Sequence, residues 1–218
     1  MREGLVTRSL ESSVAALGAA IVLLPAPLCS HPAPRVARAS PVAPVEVEPL
    51  VAQVLERMPD ASVELAGAIA GAVRTGAKDA GLDPLLVMAV IEVESEWEAS
   101  AVSGRGARGL MQLREGTLAE VERTARIAPG DVQDPVHNVR MGIRYLAHMV
   151  KDFGDEDLGL MAYNAGPGRL LSHLLAVDDL PDSLWRYVRK VRREERKLRS
   201  EMLGSPASRG SARAAAST

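Results

Sequence analysis

The sequence contains few residues of several types on which common folds and sites depend. It has one cysteine, Cys29, so no disulfide can form within the chain and no zinc site can rest on cysteine ligands. Aromatic residues make up only 3% of the chain, and Ala, Leu and Val supply most of the apolar side chains. The scarcity of aromatic residues and the abundance of Ala and Leu favour closely packed helices over strands. We therefore expect a mostly α fold.

The chain also lacks a strong charge bias and a long apolar run. Its formal net charge is −2 over 218 residues, which gives no reason to expect nucleic acid as a partner. An apolar run near the start, residues 14–28, is too short to cross a bilayer comfortably. With 47% apolar residues, the chain is expected to form one domain of ordinary size with flanking disordered tails.

Residues 1–39 have the features of a targeting segment. Arg2 and Arg8 precede the apolar run, and Ala37-Arg38-Ala39 offers a small-x-small cleavage site. We therefore predict an exported protein of the periplasm or cell envelope. Two alternatives stay open: lipidation at Cys29, and a disordered tail that follows a wrongly chosen start codon.

The remaining boundaries follow from composition. Residues 40–59 are rich in Pro and Ala, which predicts an extended linker, with a short helix over 50–58. Residues 60–192 are predicted to be the folded domain. Residues 193–218 are predicted to be a basic segment followed by a disordered tail from Gly204. The wider basic stretch 185–199 indicates a solvated helix or a patch for anionic wall polymer or membrane.

Within the domain, apolar residues at helical spacing predict the main helices. One covers Val63–Ala80 after a Ser62 cap, a second starts at Asp83-Pro84, and a third starts at Asp134-Pro135. A short buried helix follows over Leu158–Tyr163. The first of these helices contains three glycines, which we expect to permit close approach of a neighbour: Gly67, Gly71 and Gly76.

Two motif matches indicate no ligand. Gly104, Gly106 and Gly109 form a G-x-G-x-x-G pattern, but no strand precedes it and no βαβ unit surrounds it, as a dinucleotide site would require. The acidic turn 153–157 lacks the closing acid of a calcium loop, so we expect a solvated loop there. We expect neither a cofactor nor a metal.

Glu94 is the strongest candidate for a catalytic residue. Helical spacing places it on one face with Val87, Val90 and Ile91, where desolvation raises the pKa of a carboxyl group. The nearby helix C-terminus also disfavours negative charge. Both effects favour a protonated Glu94 near neutral pH, as a general acid needs. The alternative is that Glu92, Glu94, Glu96 and Glu98 form one solvated acidic helix end.

The motifs around Glu94 add a resemblance to a known family. Over about residues 62–191 the chain resembles the lytic transglycosylase domain of the soluble type, which has a lysozyme-like fold. The matching motifs, in family order, are Ile91-x-x-Glu94-Ser95-x-Trp97, Ala101-Val102-Ser103, Gly106-Ala107-x-Gly109-Leu110-Met111-Gln112, Asp134-Pro135-x-x-Asn138 with Gly142 and Tyr145-Leu146, and Ala162-Tyr163-Asn164-Ala165-Gly166-Pro167-Gly168.

The resemblance implies a reaction with a single catalytic carboxyl group. Glu94 would protonate the glycosidic oxygen between MurNAc and GlcNAc in peptidoglycan. It would then deprotonate the MurNAc 6-hydroxyl, whose attack within the same sugar leaves a 1,6-anhydro end. Tethering the nucleophile in the substrate supplies a proximity advantage. The reaction needs no water, metal or cofactor.

The resemblance also implies which residues contact the substrate. Ser103 would approach the acid and the acetamido group, and the Tyr163 hydroxyl could reach either of them. We expect Asn164 mainly to hold a helix end, and Trp97 to pack in the core. The implied substrate-binding residues are Ser103, Met111, Gln112, Tyr163 and Asn164.

The chain departs from the family pattern in two places. Arg114-Glu115 replace a common Met-Pro, and Ser183-Leu184 replace a common Glu-Thr. These changes motivate a wall-binding or envelope assembly protein that has lost turnover as one alternative. A hydrolytic muramidase on the same fold is the other, with Glu115 or Asp131 as the second carboxylate. We expect peptidoglycan glycan strands as the partner, an envelope assembly partner under the first alternative, and a monomer.

Overall fold

The computed structural model describes residues 47–176 and 179–204. These ranges form eight α-helices and contain isolated β-bridges in place of extended strands, which confirms the mostly α prediction. The helices are α1 Val47–Arg57, α2 Val63–Ala80, α3 Pro84–Ser95, α4 Glu115–Ala125, α5 Pro135–Phe153, α6 Glu156–Ala165, α7 Pro167–Leu175 and α8 Asp182–Gly204. The predicted targeting segment, Cys29 and the predicted tail after residue 204 lie outside the described residues.

Three of the helices begin at the predicted side-chain caps. The Ser62 hydroxyl accepts a hydrogen bond from a backbone N–H in the first turn of α2, at 3.2 Å. Carboxylate oxygens of Asp83 and Asp134 do the same for α3 and α5, at 2.9 and 2.6 Å. Each cap satisfies a donor that the helix itself leaves unpaired, so the sequence fixes where these helices begin.

The core centres on α3. Every residue from Leu85 through Ile91 is buried, because α2 and α8 pack against this helix. The long helix α5 packs in turn against α2, α4 and α6, and α8 also contacts α6. In the described ranges, no helix is long and apolar enough to cross a membrane.

The buried core extends beyond the predicted domain limits of 60–192. Leu50 and Val54 on α1 and Leu198 on α8 are at most 2% exposed and belong to the same apolar cluster as α3. The predicted short helix therefore begins at Val47 and packs on the domain instead of standing in a linker. The basic segment continues as helix to Gly204 because one of its faces is apolar.

The expectation for the α2 glycines holds at one position of three. A Cβ atom added at Gly76 would lie 2.9 Å from the Ile143 side chain on α5, so the absence of a side chain there permits close packing. Gly67 and Gly71 face open space, where a side chain would meet nothing within 4 Å. Of the three α2 glycines, only Gly76 is therefore required for the close packing of α2 on α5.

The acidic turn is not the solvated loop that we expected. The Asp155 carboxylate accepts the Leu158 N–H at 2.9 Å and caps α6. Glu156 and Asp157 lie in the first turn of α6 and pair with Arg192 of α8, at 2.8 and 2.7 Å. The acids complement the positive end of α6 and connect it to α8.

Candidate active site

Glu94 lies in the last turn of α3 and lines a cleft of about 400 Å³. Its carboxylate accepts a hydrogen bond of 2.6 Å from the Tyr187 hydroxyl, which α8 supplies. Burial raises the pKa of Glu94 to about 6, and the hydrogen bond from Tyr187 opposes this rise because it stabilises the charged form. The side chain therefore holds a proton in about one molecule in ten at pH 7, far more often than an ordinary glutamate.

The other acids near Glu94 face away from the cleft. Glu92 lies 3.5 Å from the Arg57 guanidinium, toward α1. Glu96 is exposed at the helix end with a φ of 51°, and Glu98 caps Ser100. The four acids are thus not one solvated cluster.

Glu94 is the only carboxylate among the described residues that line the cleft. The lining residues are Glu94, Ser103, Arg105, Ala107, Gln112, Leu113, Arg114, Thr117, Tyr145, Tyr163, Asn164, Ala165, Gly166, Arg169, Ser183 and Leu184. Of the two candidates for a second acid, Glu115 is 76% exposed and lies 3.9 Å from Arg108. Asp131 caps the backbone of Gln133 at 2.8 Å. The structure brings neither one to Glu94.

One wall of the cleft is the loop 98–114, and buried Asn138 of α5 holds it in place. The Asn138 side-chain oxygen accepts the Met111 N–H at 2.7 Å, and its amide group donates to the Arg108 and Val132 carbonyls at 3.0 and 2.8 Å. Gly109, with a φ of 76°, lies so close that a Cβ atom there would collide with the Asn138 amide.

Ser95 connects this loop to the helix that carries Glu94. Its buried hydroxyl lies 2.9 Å from the Leu110 carbonyl and 3.2 Å from the Ile91 carbonyl, and can donate to either. The Glu-Ser pair of the motif therefore combines a cleft residue with a structural one.

Ser103 and Gln112 both line the cleft, and both also make contacts within the loop. The Ser103 hydroxyl accepts the Ala107 N–H at 3.0 Å. The Gln112 amide group donates to the Ala101 and Gly109 carbonyls at 3.1 and 3.0 Å, from a backbone with a φ of 47°. Neither side chain hydrogen-bonds to Glu94 in the described structure.

Met111 does not line the cleft as expected. Its side chain is fully buried and packs against Gly142 of α5, where a Cβ atom would collide with it. The physical reason is the Asn138 bond to its N–H, which brings this backbone onto α5. Met111 therefore supports the cleft wall from behind.

Tyr163 lines the cleft, but its hydroxyl does not reach Glu94. It donates to the Met111 carbonyl at 2.6 Å, and burial raises the pKa of this hydroxyl well above its usual range. Asn164 is exposed on the cleft, and none of the hydrogen bonds described for the domain involves its side chain. The helix end that we expected Asn164 to hold is closed by the Gly166 N–H, which donates to the Ala162 carbonyl.

Tyr187, the direct partner of Glu94, was not predicted from the sequence. Tyr187 follows Glu94 by 93 residues, and local periodicity cannot show which helices pack together. One signal was available in the sequence: the chain has three tyrosines, and the other two, Tyr145 and Tyr163, lie within the matched motifs. In the structure those two line the cleft with ring centres 5.3 Å apart. Trp97 is 3% exposed and belongs to the core, as predicted.

Comparison with solved structures supports the fold. The structure matches an inactive Glu-to-Gln mutant of the lytic transglycosylase Slt from Pseudomonas aeruginosa with a TM-score of 0.54 and 29% identity. The match covers 61% of this chain and 24% of that one. The soluble lytic transglycosylase SLT70 of Escherichia coli gives a TM-score of 0.56 at 22% identity, over 70% of this chain and 30% of that one. Fold and cleft together define a lysozyme-like domain of the lytic transglycosylase class.

The sequence comparison identifies the family. Residues 71–185 match the family model of the Transglycosylase SLT domain, and the chain belongs to this family. Over 92 residues it is 37% identical to the soluble lytic murein transglycosylase of Escherichia coli K12. This match covers 40% of this chain and 14% of that protein. Over 125 residues it is 33% identical to the membrane-bound lytic murein transglycosylase F of Pseudomonas fluorescens Pf0-1. This match covers 53% of this chain and 24% of that protein.

A phage protein shows the same similarity. The transglycosylase of Enterobacteria phage PRD1 is 35% identical over 85 residues, which cover 39% of this chain and 30% of that protein. The matched part of the chain thus spans between 14% and 30% of the length of these three relatives.

Proposed function

We propose that this protein cleaves the β-1,4 bond between MurNAc and GlcNAc in peptidoglycan without water and leaves a 1,6-anhydro-MurNAc end. The observation that supports this reaction is a single carboxyl group, Glu94, in the described lining of the cleft, with a pKa of about 6. Such a group is protonated often enough to act as an acid and ionised often enough to act as a base.

The two proton transfers follow each other at Glu94. The carboxyl group gives its proton to the glycosidic oxygen as the bond from that oxygen to the MurNAc anomeric carbon breaks. The acetamido oxygen of the substrate stabilises the positive charge at this carbon. The Glu94 carboxylate then takes the proton of the MurNAc 6-hydroxyl, which restores the carboxylic acid. The 6-oxygen bonds to the anomeric carbon as it loses this proton.

The positions of the other acids favour this reaction over hydrolysis by a muramidase. A hydrolytic glycosidase generally uses two carboxyl groups across the scissile bond, between about 5 and 9.5 Å apart. Glu115 and Asp131 lie outside the lining of the cleft, so neither is placed to activate a water molecule or attack the sugar. A nucleophile within the substrate removes the need for the second group.

The remaining site residues receive roles from their contacts. Tyr187 positions the Glu94 carboxylate, and Ser103, Gln112 and Asn164 contact the sugar from the cleft surface. Tyr163 and Met111 hold the loop wall, because their contact joins α6 to that loop. Among the departures from the family pattern, Arg114, Ser183 and Leu184 line the cleft without bonding to Glu94. They change the substrate-binding surface and leave the acid in place, which favours an enzyme over a protein without turnover.

The relatives support the substrate and the location. Two relatives are murein transglycosylases, one of them membrane-bound, and the matched Glu-to-Gln mutant of Slt from Pseudomonas aeruginosa is inactive. We extend murein cleavage to this chain, together with export to the periplasm or envelope and action as a monomer on glycan strands.

Mass spectrometry of digested peptidoglycan tests the proposal. The expected product is a muropeptide with a 1,6-anhydro end, lighter by one water than a hydrolytic product. Glu94→Gln should bind the wall and lose at least about a hundredfold in turnover, because both proton transfers are lost. Glu92→Gln and Glu96→Gln are the matched controls, because these side chains face away from the cleft, and they should keep most activity. Reducing MurNAc ends as the sole product would refute the mechanism.

A further inference from the structure

The helix α7 carries four leucines, and the domain covers one of them. By the 3.6-residue period, Leu170, Leu171, Leu174 and Leu175 fall within about 140° of the helix circumference. Leu170 is buried, whereas Leu171, Leu174 and Leu175 are 49%, 39% and 72% exposed. We call these three exposed side chains the leucine face. Single exposed apolar residues are ordinary on a protein surface, but a group of them on one helix face indicates an interaction site.

The next helix, α8, presents a strip of basic side chains. Opposite to its buried residues it carries six exposed cations, and Asp182 is the sole exposed acid of this helix. Trp185 is also exposed and lies at the edge of the strip by helical spacing. We call the six cations the basic face: Arg186, Arg189, Lys190, Arg193, Arg196 and Lys197.

The leucine face and the basic face belong to neighbouring elements. Both α7 and α8 pack against α6, and both begin at the cleft, where Arg169 and Ser183 are lining residues. Arg169 lies about 160° around α7 from Leu171, so a contact through the leucine face leaves the cleft open. The positive charge is local to α8, because the whole chain has a formal net charge of −2.

The combination of exposed leucines and cations matches the surface of an anionic bilayer. Leucine and tryptophan side chains enter the boundary between head groups and acyl chains, while Lys and Arg contact acidic head groups. An anionic wall polymer would attract the basic face but offers no apolar environment to the leucines. In the described ranges no helix can cross a membrane, so the contact that we infer is peripheral.

We propose that α7 and the exposed side of α8 form a docking site for anionic lipid. The leucine face and Trp185 enter the membrane surface to a shallow depth, and the basic face lies on the head groups. Docking holds the cleft beside a membrane and takes no part in the chemistry at Glu94. The inference is independent of the proposed reaction, because lipid binding and glycan cleavage are measured separately.

Quenching of tryptophan fluorescence by lipids with brominated acyl chains tests the docking site in the full chain. The probes are vesicles of phosphatidylglycerol and phosphatidylcholine in equal amounts, and vesicles of phosphatidylcholine alone. The chain has two tryptophans, and Trp97 is buried, so the quenching reports on Trp185. We expect quenching by the anionic vesicles, its loss in Trp185→Phe, and at least about tenfold weaker binding to the neutral vesicles. Membrane contact by the apolar run 14–28 would not quench Trp185.

Substitutions on α7 test the leucine face. The triple variant Leu171→Gln, Leu174→Gln and Leu175→Gln should bind anionic vesicles at least about tenfold more weakly, because it removes the apolar contact. Val63→Gln changes an exposed valine on α2 and is the control that should bind as wild type does. Both variants should cleave soluble glycan strands normally, since the changed side chains are exposed and lie outside the cleft.

Substitutions on α8 test the basic face against general charge. Changing Lys190, Arg193 and Arg196 to Gln should weaken binding to anionic vesicles at least about tenfold and leave the weak binding to neutral vesicles unchanged. The control removes the same formal charge at three exposed arginines of α4 and α5 and should retain binding: Arg123, Arg140 and Arg144.

Four results would overturn the inference. The first is that anionic vesicles leave Trp185 unquenched, and the second is that either triple variant binds no more weakly than its control. The third is binding to purified sacculi that the α8 variant loses, in the absence of vesicle binding, which would assign the basic face to wall polymer. The fourth is a dimer that the leucine variant dissociates, again without vesicle binding, which would assign the leucine face to a second copy of the chain.

Discussion

Two influences act in opposite directions on the proton of Glu94. Burial against the apolar face of α3 raises its pKa, and the hydrogen bond from the Tyr187 hydroxyl lowers it. Burial also raises the pKa of Tyr187 well above its usual range, so this hydroxyl stays protonated and remains a donor. The result, a pKa of about 6, is a balance that a single substitution can shift.

Activity should fall as pH rises and Glu94 loses the proton that it donates. Tyr187→Phe should shift this fall to higher pH. The change removes the contact that lowers the pKa of Glu94, so the acid keeps its proton to a higher pH, by about half a unit to one unit. The measurement is kcat/KM against pH on soluble glycan strands. Tyr145→Phe is the control, since Tyr145 lines the cleft without a hydrogen bond to Glu94 in the described structure. If the pH profile of Tyr187→Phe coincides with that of wild type, the hydrogen bond from Tyr187 does not lower the pKa of Glu94.

Glu94→Gln should stabilise the fold at alkaline pH and not at acid pH. The folded pKa of about 6 lies above the ordinary value of 4.5, so the folded state binds the proton more tightly than the unfolded state. The contribution of Glu94 to the stability of the wild-type chain is therefore fully present below about pH 4.5 and falls by about 2 kcal/mol as pH rises through 6. Glutamine cannot ionise and avoids this loss.

Urea unfolding of wild type and Glu94→Gln at pH 4 and pH 8 checks this sign. The variant should gain up to about 2 kcal/mol over wild type at pH 8 and little at pH 4. The exposed substitution Glu96→Gln is the control for the loss of one negative charge. A gain of equal size at both pH values would show that burial of the charge is not its cause.

At the scale of elements, the cleft wall depends on how closely α5 and the loop 98–114 approach. Gly142→Ala should destabilise the fold by roughly 1–3 kcal/mol and lower activity, because the new methyl group collides with Met111 and displaces the adjacent Gln112. The equivalent change Gly71→Ala on α2 meets open space and should stabilise by up to about 1 kcal/mol through helix propensity. Melting curves and turnover of both variants test the contrast, and similar effects at the two sites would contradict it.

The elements that the sequence predicted best are those with local signals. Ser62, Asp83 and Asp134 cap their helices through contacts within three residues, so α2, α3 and α5 begin where the sequence indicates. The helix α7 was not predicted. Its four leucines, Leu170, Leu171, Leu174 and Leu175, do repeat at helical spacing after Pro167, so the local signal was present in the sequence. Of the four, only Leu170 is buried in the domain.

At the scale of the whole molecule, α8 is part of the domain to its end. A chain that stops at Arg192, the predicted domain limit, loses buried Leu198 and the 2.8 Å pair between Glu201 and Arg57. We expect its melting temperature to lie about 4–8 °C below that of a chain ending at Gly204, from about 2 kcal/mol of lost burial. Thermal unfolding of both chains measures the difference, and equal melting temperatures would restore the limit at 192.

The sequence predicted the fold, its family and Glu94 as the acid candidate, because these depend on ordered motifs and helical spacing. It missed what depends on packing between distant segments. Met111 appeared to be a cleft residue until Asn138 was seen to hold its backbone against α5. Tyr187 lies in a segment that stands out in the sequence for its basic residues. The buried residues of the same helix, which determine that α8 packs on α3, are less evident.

The bond between Tyr187 and Glu94 also concerns the order in which the protein is made. Synthesis runs from the N-terminus, so a growing chain contains its acid 93 residues before the tyrosine that positions it. Until α8 has left the ribosome and docked on α3, the apolar face around Glu94 lacks its cover and the carboxyl group is more exposed to water. An incomplete chain therefore carries a more solvated carboxyl group, and the proton transfers proposed for Glu94 require that the last described helix has docked.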